Sequence, residues 1–502
     1  LDNTRADTVS RLMPFVFSED DTAQVEISGN TVYVRIDDSR ITRPTVTSAV
    51  TNGGFDSNVT SWTDIDESST ASIWEANGNL QLLGNGTNFA GRKQQVTTVE
   101  TGTEHALRVI VDTGPIILKV GSSDLGEQYI SETSLGEGQH SLAFTPSGDF
   151  YITITSALSY PVLLDSIEVE SAGVMSLPTA WGGGFLGRLR WAQSGDVIYV
   201  AARGFDPEKI ERRAARSWSV VKYLPIDGPF RVMNTSKTTI ATSALTGSVT
   251  LTASKSIFRS NHVGGLFRVA SIGQTVTAAI GAQDTFTDAI RVTGVDTGRV
   301  FSIVIAGSFT ATVTVQYSVG AEGAWVDLAT TYSGVISTSY DDGQENQVIY
   351  YRIGIKTGDY SSGTATCTLS YAAGSISGLA RITARASGTS VTANILKDFG
   401  ATAASGDWWE GAWSDFRGYP TAVRLHEGRL WWAGQDKIWG SISDSYESFD
   451  DEFIGDAGPI SRSIGSGPIA VIHWALSLGR LLMGTASNST DIDAAMIEGV
   501  SV

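Results

Sequence analysis

Between Asp407 and Phe449 apolar and polar residues fall into three short runs, AVRLH (422–426), RLWWAG (429–434) and KIWGSIS (437–443), separated by Glu427-Gly428 and Gln435-Asp436. Pairs of this kind reach the positive φ of tight hairpin turns, so the stretch reads as a three-stranded meander. It also holds six of the chain's thirteen tryptophans. The same grammar recurs in RLMPFVFS (11–18), AQVEIS (23–28) and TVYVRI (31–36), in LRWAQS (189–194) with DVIYVAA (196–202), and in IAVIHWALSLGRLLMGTA (469–486). Small meanders that cannot bury their apolar faces alone predict radially packed blades, a β-propeller-like core. Their irregular spacing implies other domains inserted between blades.

Five segments follow. Residues 1–44 form the first core segment, closed by Pro44, and 45–171 form a first insertion. Residues 172–273 return to the core pattern, 274–374 form a second insertion, and 375–502 complete the core. In the second insertion, FSIVIAGSFTATVTVQYSVG (301–320), QVIYYRIGIKTG (347–358) and TATCTLSY (364–371) alternate with period two, as in a small immunoglobulin-like sandwich. Cys367 alternates with polar neighbours there and reads as a buried small residue. One stretch, FDPEKIERRAARSW (205–218), reads as helix-like, with Pro207 near its start and basic residues at Lys209, Arg212, Arg213 and Arg216. It is expected to be a connector whose guanidinium groups pair with carboxylates of a neighbouring blade or subunit.

Composition narrows the class. At 502 residues the chain exceeds one ordinary core. Abundant Gly and alternating Val, Thr, Ile and Ser point to an all-β protein with many turns. A formal charge of −18 disfavours adhesion to nucleic-acid phosphates. A single cysteine allows no intrachain disulfide, and no apolar run is long enough for a membrane span or a signal segment. The chain begins at Leu1 and stops just after the fourth meander, which leaves the expected propeller incomplete and implies a processed product or part of a longer one.

Catalytic motifs are missing from the sequence: it holds no phosphate-binding Gly-rich loop ending in Lys-Ser/Thr, no His-Glu-x-x-His, no paired-cysteine zinc pattern and no Gly-x-Ser-x-Gly. The five histidines, at 105, 140, 262, 426 and 473, lack metal-ligand spacing. Asp407 and Glu410, beside Trp408 and Trp409, make the best carboxylate pair for glycoside hydrolysis. A Trp-rich approach to a strand is more readily packing than a sugar cleft, so the expectation is a protein that is not an enzyme.

The first insertion opens with NGGFDSNVTSWT (52–63) and closes with YPVLLDSIEVE (160–170), and with these motifs it resembles the jelly-roll carbohydrate-binding modules. That resemblance implies a structural calcium with Asp56 and Asp165 as ligands, hard oxygen donors suiting the ion. The alternative is a turn carboxylate and a strand-end cap. Trp74, Phe89 and Tyr129 are the candidates for stacking on sugar rings, against the alternative that they are core; Trp62 is expected in the core.

With the insertions set aside, colinear blocks remain: DTVSRLMPFVFS with QVEISGNTVYVRI, LRWAQSGDVIYVAARGFDPEKIERRAARSW with DGPF, HVGGLFRV, WWEGAWSDFRGYPTAVRLHEGRLWWAG, IWGSISDSYESF and IGSGPIAVIHWALSLGRLLMGT. In this order, over about half the chain, they resemble the tail nozzle proteins of short-tailed bacteriophages, the tail tubular protein B family. The chain departs from that pattern in lacking the usual N-terminal segment. The resemblance implies a virion protein assembled in the host cytoplasm as a homo-hexamer. It would sit below adaptor proteins linked to the portal, conduct double-stranded DNA through its lumen and support tail fibres or spikes. The insertions, expected on the outside, would dock such appendages or touch host surface polysaccharide. The alternative is a carbohydrate-binding adhesin or receptor-binding tail component. The expected fold class is thus all-β: a propeller-like core of discontinuous segments with jelly-roll and immunoglobulin-like sandwiches inserted.

Overall fold

In the computed structural model, which describes residues 4–5, 8–345, 347–453, 455–463, 471–486 and 496–500, nearly every element is a β-strand. The first small sheet orders Ser10–Val16, Thr22–Ser28, Thr31–Ile36 and Leu177–Pro178. Its second hairpin turns on Gly29 and Asn30, both in the left-handed region at φ 57° and 63°, the conformation a two-residue type I′ turn needs. A second meander runs Arg190–Ser194, Val197–Ala201, Glu208–Ala214, Ser217–Lys222. A third runs Ala422–His426, Arg429–Gly434, Lys437–Gly440, Ile460–Ser463, and a fourth Val471–Ser477, Leu481–Ala486, Met496–Val500.

These sheets pack face to face in succession, like neighbouring blades. Met13, Phe15, Val25 and Val34 of the first share a core with Ile198, Val200, Ile210 and Trp218 of the second. The opposite face of the second, through Tyr199, Ala201 and Tyr223, meets Val423, Leu430, Trp432 and Trp439 of the third. The third then turns Ala422, Trp431 and Ile438 toward Ile472, Leu481 and Met483 of the fourth. Period-two alternation sends Trp431 and Trp432 to opposite faces, and because both faces are covered every residue of Arg429–Gly434 is buried. No sheet closes into a barrel among the described residues.

The helix-like reading of 205–218 is corrected. Glu208–Ala214 is a strand, paired with Val197–Ala201 on one side and Ser217–Lys222 on the other. Its charged side chains find partners that a sheet supplies: Lys209 pairs with Glu211 and Glu447, and Arg212 with Asp196 and Asp21. The last of these lies in the first sheet's turn and Glu447 in the third meander's loop, so cross-blade ion pairing holds even though the helix does not. Lateral pairing satisfied the backbone on both edges and outweighed a helix propensity worth only tenths of a kcal/mol per residue, roughly.

The first insertion is a two-layer sandwich. One layer orders Ile130–Leu135, Ile116–Gly121, Phe150–Ser156, Ala90–Val96 and Thr63–Asp64; the other orders Gly138–Phe144, His105–Thr113, Val162–Val169, Asn79–Leu83 and Ala71–Glu75. Phe55, Trp62, Leu107, Val109, Phe150 and Ile152 lie in the core between them. The second layer does not end at the insertion. Gly138–Phe144 pairs with Ser217–Lys222, from Gly138 opposite Val221 to Ser141 opposite Trp218, so one nine-stranded sheet runs from sandwich to core. Gly138 takes φ 143°, and a Cβ there would stand 2.3 Å from the Val220 carbonyl oxygen, so the close approach requires glycine.

The second insertion grows lengthwise out of the core. Leu266–Ile280 and the 37-residue strand Ile349–Arg385 pair from a further core sheet, which also holds Ile240–Thr242, Ser248–Ala253 and Ser390–Lys397, into the sandwich, interrupted by one irregularity beside Gly273. Phe301, Ile303 and Ile305 at one end of Phe301–Val319 and Val313 and Val315 at the other enter the same core, so the strand bends around it at register shifts near Ala311. Both layers therefore belong to one coiled sheet. Cys367 is fully buried in that core, and burial pushes its thiol up to about 11.

Candidate functional site

The sequence-derived candidates on the jelly roll do not converge. Tyr129 stands beside the edge strand Ile130–Leu135, packs on Phe144 and shares hydrogen bonds with Ser147 at 2.9 and 3.0 Å. Phe89 precedes Ala90–Val96, three strands away in the same layer, while Trp74 lies on the edge strand of the opposite layer. Trp74 is 36 % exposed, but its indole N–H donates to the Phe55 carbonyl at 2.8 Å. Tyr129 and Trp74 thus stand at edge strands of opposite layers, with Phe89 beside an interior strand. Trp62 is in the core, as its pattern predicts.

The two acidic candidates fare similarly. Asp56 is exposed, and Asp165 is half-buried with its carboxylate accepting from the Ser166 hydroxyl at 2.9 Å. The opening loop's carbonyls already accept protein donors: Asn52 from the Trp62 indole, Gly53 from the Ile167 N–H, Phe55 from Trp74. Among the described residues no group of three or more His, Cys, Asp or Glu side chains is arranged to hold a metal.

A different constellation surrounds Glu410. The strand Trp408–Glu410 pairs with Leu266–Ile280, Trp408 opposite Val269 and Glu410 opposite Phe267. Alternation places Trp408 and Glu410 on one face and Trp409 on the other, where it packs against the Arg268 guanidinium at 4.1 Å. Asp407, an odd step from Glu410, does not join it in lining the adjoining cavity. The carboxylate pair considered for catalysis is therefore not brought together at this site.

Glu410 instead sits between Arg417 and His262. Arg417 approaches through Nε at 2.7 Å and through Nη2, and His262 Nε2 stands 3.2 Å from Oε1. His262 is 3 % exposed, and its Nδ1 accepts the Arg259 backbone N–H at 3.3 Å, which leaves Nε2 to carry the proton that faces Glu410. Burial by itself would raise the Glu410 carboxyl; His262 and Arg417 outweigh it and hold the group at about 2. The site is a fixed ion cluster on the floor of a cavity of about 790 Å³. Around it stand Phe258 and Phe267, edge to face at 5.4 Å, Trp408 stacked on Phe267, and Phe416. Sequence reasoning singled out Glu410 and Trp408 but missed Arg259, His262, Arg385 and Arg417, whose separations of up to 158 positions carry no local signal.

Comparisons with known proteins assign no family. No family model matches the chain, and no curated protein matches it. Solved structures that match include a vicilin from hazelnut, Corylus avellana, at 5 % identity, covering 64 % of this chain and 87 % of that one with a TM-score of 0.11. An IolB-like protein from Salmonella typhimurium matches at 6 % identity over 57 % of this chain and 82 % of its own, TM-score 0.11. An 11S globulin from Wrightia tinctoria matches at 8 % identity over 63 % and 84 %, TM-score 0.10. Superpositions this poor carry no argument about fold or function.

Proposed function

We propose that the chain is a structural subunit of a bacteriophage tail nozzle, a wall element of the conduit through which genomic DNA leaves the particle. The observation that supports this most is the stack of four meanders. Segments as far apart as Ser10–Ile36 and Val471–Ala486 contribute to one succession of face-packed sheets, and most of the blocks that resemble the nozzle family fall on it, while HVGGLFRV and Trp408–Glu410 lie on the eleven-stranded sheet. A pipe wall must be stiff, and the second meander of this one continues as a hydrogen-bonded sheet into the first insertion. The net charge of −18 fits a lumen that lets phosphates slide past. Homo-hexamer formation, contact with adaptor and fibre proteins, and a place in the virion belong to the same proposal. The test is electron cryo-microscopy of intact short-tailed particles carrying this chain. Six copies around the channel below the portal are expected, and particles whose tail lacks the chain would overturn the reading.

A second reading, a carbohydrate-binding tail component, rests on the partly exposed Trp74. A glycan array probed with the full chain separates the two: binding abolished by Trp74→Ala favours the adhesin.

A further inference from the structure

We propose that the cavity above Glu410 binds a small organic anion, a carboxylate or phosphate carried beside a ring that can stack on an aromatic face. The inference is independent of the nozzle reading. Its volume of about 790 Å³ lies within the range of roughly 300–1,000 Å³ typical of small-molecule sites. The cavity combines two kinds of wall. Phe258, Phe267, Trp408 and Phe416 supply ring faces, while Arg259, Arg385 and Arg417 supply guanidinium groups.

The charge balance points to the ligand. Arg417 is spent on Glu410, whose charge it shares with His262. Arg259 lies over the Phe416 ring at 4.5 Å, and Arg385 uses Nε on the Phe258 carbonyl at 3.2 Å. Among the described residues neither has a carboxylate within ion-pair reach. The chain has 53 acidic against 35 basic residues, and several of its other arginines do find carboxylates: Arg43 with Glu104 and Glu170, Arg299 with Asp342, Arg212 with Asp21 and Asp196. Arg259 and Arg385, both exposed at the cavity rim, keep their forks free for a planar anion.

The floor is built to hold this charge apart. The Arg417–Glu410 ion pair, with His262 Nε2 3.2 Å from the same carboxylate, fixes the loop Phe416–Arg417 under Arg259, where two guanidinium groups share one aromatic ring at 4.4 and 4.5 Å. Their mutual repulsion favours an anion arriving between ring and rim. The ring-bearing half of the ligand would lie on Trp408, whose indole N–H is already given to the Thr238 carbonyl at 2.9 Å and so presents a face rather than a donor. Two sources share this chemistry, a sugar acid and a nucleoside phosphate.

The experiment titrates the full chain with D-glucuronate, AMP and neutral D-glucose by calorimetry and ligand-observed NMR. Glucuronate or AMP is expected to bind while glucose does not; glucuronate alone assigns a sugar acid, AMP alone a phosphate. In the Arg259→Ala/Arg385→Ala double variant affinity should fall roughly ten- to a hundredfold, the worth of one or two charge-assisted hydrogen bonds. The unliganded melting temperature should fall only slightly, because both side chains are exposed and lose one backbone hydrogen bond and one ring contact between them. Should that variant fail to fold, Arg259→Gln serves the same comparison. Absence of binding by both anions, equal binding of glucose, or affinity unaltered by the substitutions would overturn the proposal.

Discussion

The two insertions are fastened to the same core by opposite means. The jelly roll is attached sideways, through four residue pairs between Gly138–Ser141 and Trp218–Val221. A buried ion network beside them ties entry, sandwich and core together. Arg43, just before the first insertion, bonds Glu170 at 2.7 Å, Glu104 at 3.1 Å, Ser141 at 2.7 Å and the Arg216 carbonyl at 3.0 Å, and Arg108 and Arg216 pair with the same two glutamates. The second sandwich is attached end-on, its strands being the core's own strands continued. Its neighbouring ion pairs, Arg291 and Lys397 with Glu452, are farther apart and more exposed. The difference teaches that a junction made by strand edges needs side chains to fix its angle, whereas one made by through-running backbone needs only its bulge satisfied.

The largest expected effect lies outside both junctions and sets the scale. Trp432→Ala and Trp431→Ala each open a cavity between two sheets and should cost roughly 3–5 kcal/mol in chemical denaturation, on opposite faces of one strand. If either variant unfolds like the wild type, the third meander is not sandwiched.

Arg43→Ala comes next. It removes a buried cation that Glu104 and Glu170 share, and with Arg108 still beside Glu170 a loss of roughly 3 kcal/mol is expected. Limited proteolysis should then cut near the jelly-roll junction first. Cleavage confined to the second insertion would contradict the contrast.

At the end-on junction, Gln274 is 3 % exposed and fills the irregularity, accepting the Arg291 N–H at 2.6 Å and donating to the Arg291 and Ser375 carbonyls at 3.0 and 3.2 Å. Gln274→Ala should cost roughly 1–3 kcal/mol, the penalty for orphaned buried polar groups. Gly273→Ala, at φ 75°, should cost roughly 1–2 kcal/mol because a side chain is strained there. Both losses should appear in thermal unfolding, and a more stable Gly273→Ala would deny the strain.

Acid should separate the two junctions by the smallest amount. Burial would raise the Glu104 carboxyl, but Arg216 and Arg43 outweigh it and hold it below 4.5. A depressed carboxylate contributes its stability above its unfolded value and loses it as pH falls through the folded one. Amide exchange in Gly138–Phe144 should therefore rise below about pH 4.5 more than in Leu266–Ile280. Equal acceleration would remove the charge-based distinction. Glu410, held at about 2, keeps its cluster ionised to lower pH than an ordinary glutamate.

Much of the fold was legible in particular residues. Glu427-Gly428 and Gln435 take positive φ as their turn positions require, and the alternation in 422–443 gave strands of the right type in the right order. The strand Glu208–Ala214 was not legible, because its polar composition matches a helix until neighbours on both edges claim its backbone. Nor was the site: Glu410 stood out beside its tryptophans, yet its partner is Arg417 rather than Asp407.

By itself the sequence determined what lies within a few residues' reach, the period of two, the turns that need left-handed backbone, and the abundance of acid. Tertiary structure alone decided that Trp431 and Trp432 are both interior, that one insertion joins by its edge and the other by its length, and that Arg259, Arg385 and Glu410 meet. The physical reason is range. Backbone conformation and side-chain alternation are set by local sterics, whereas the pairing of strand edges and the gathering of charges depend on which of many compatible surfaces meet, and those surfaces belong to residues more than a hundred positions apart.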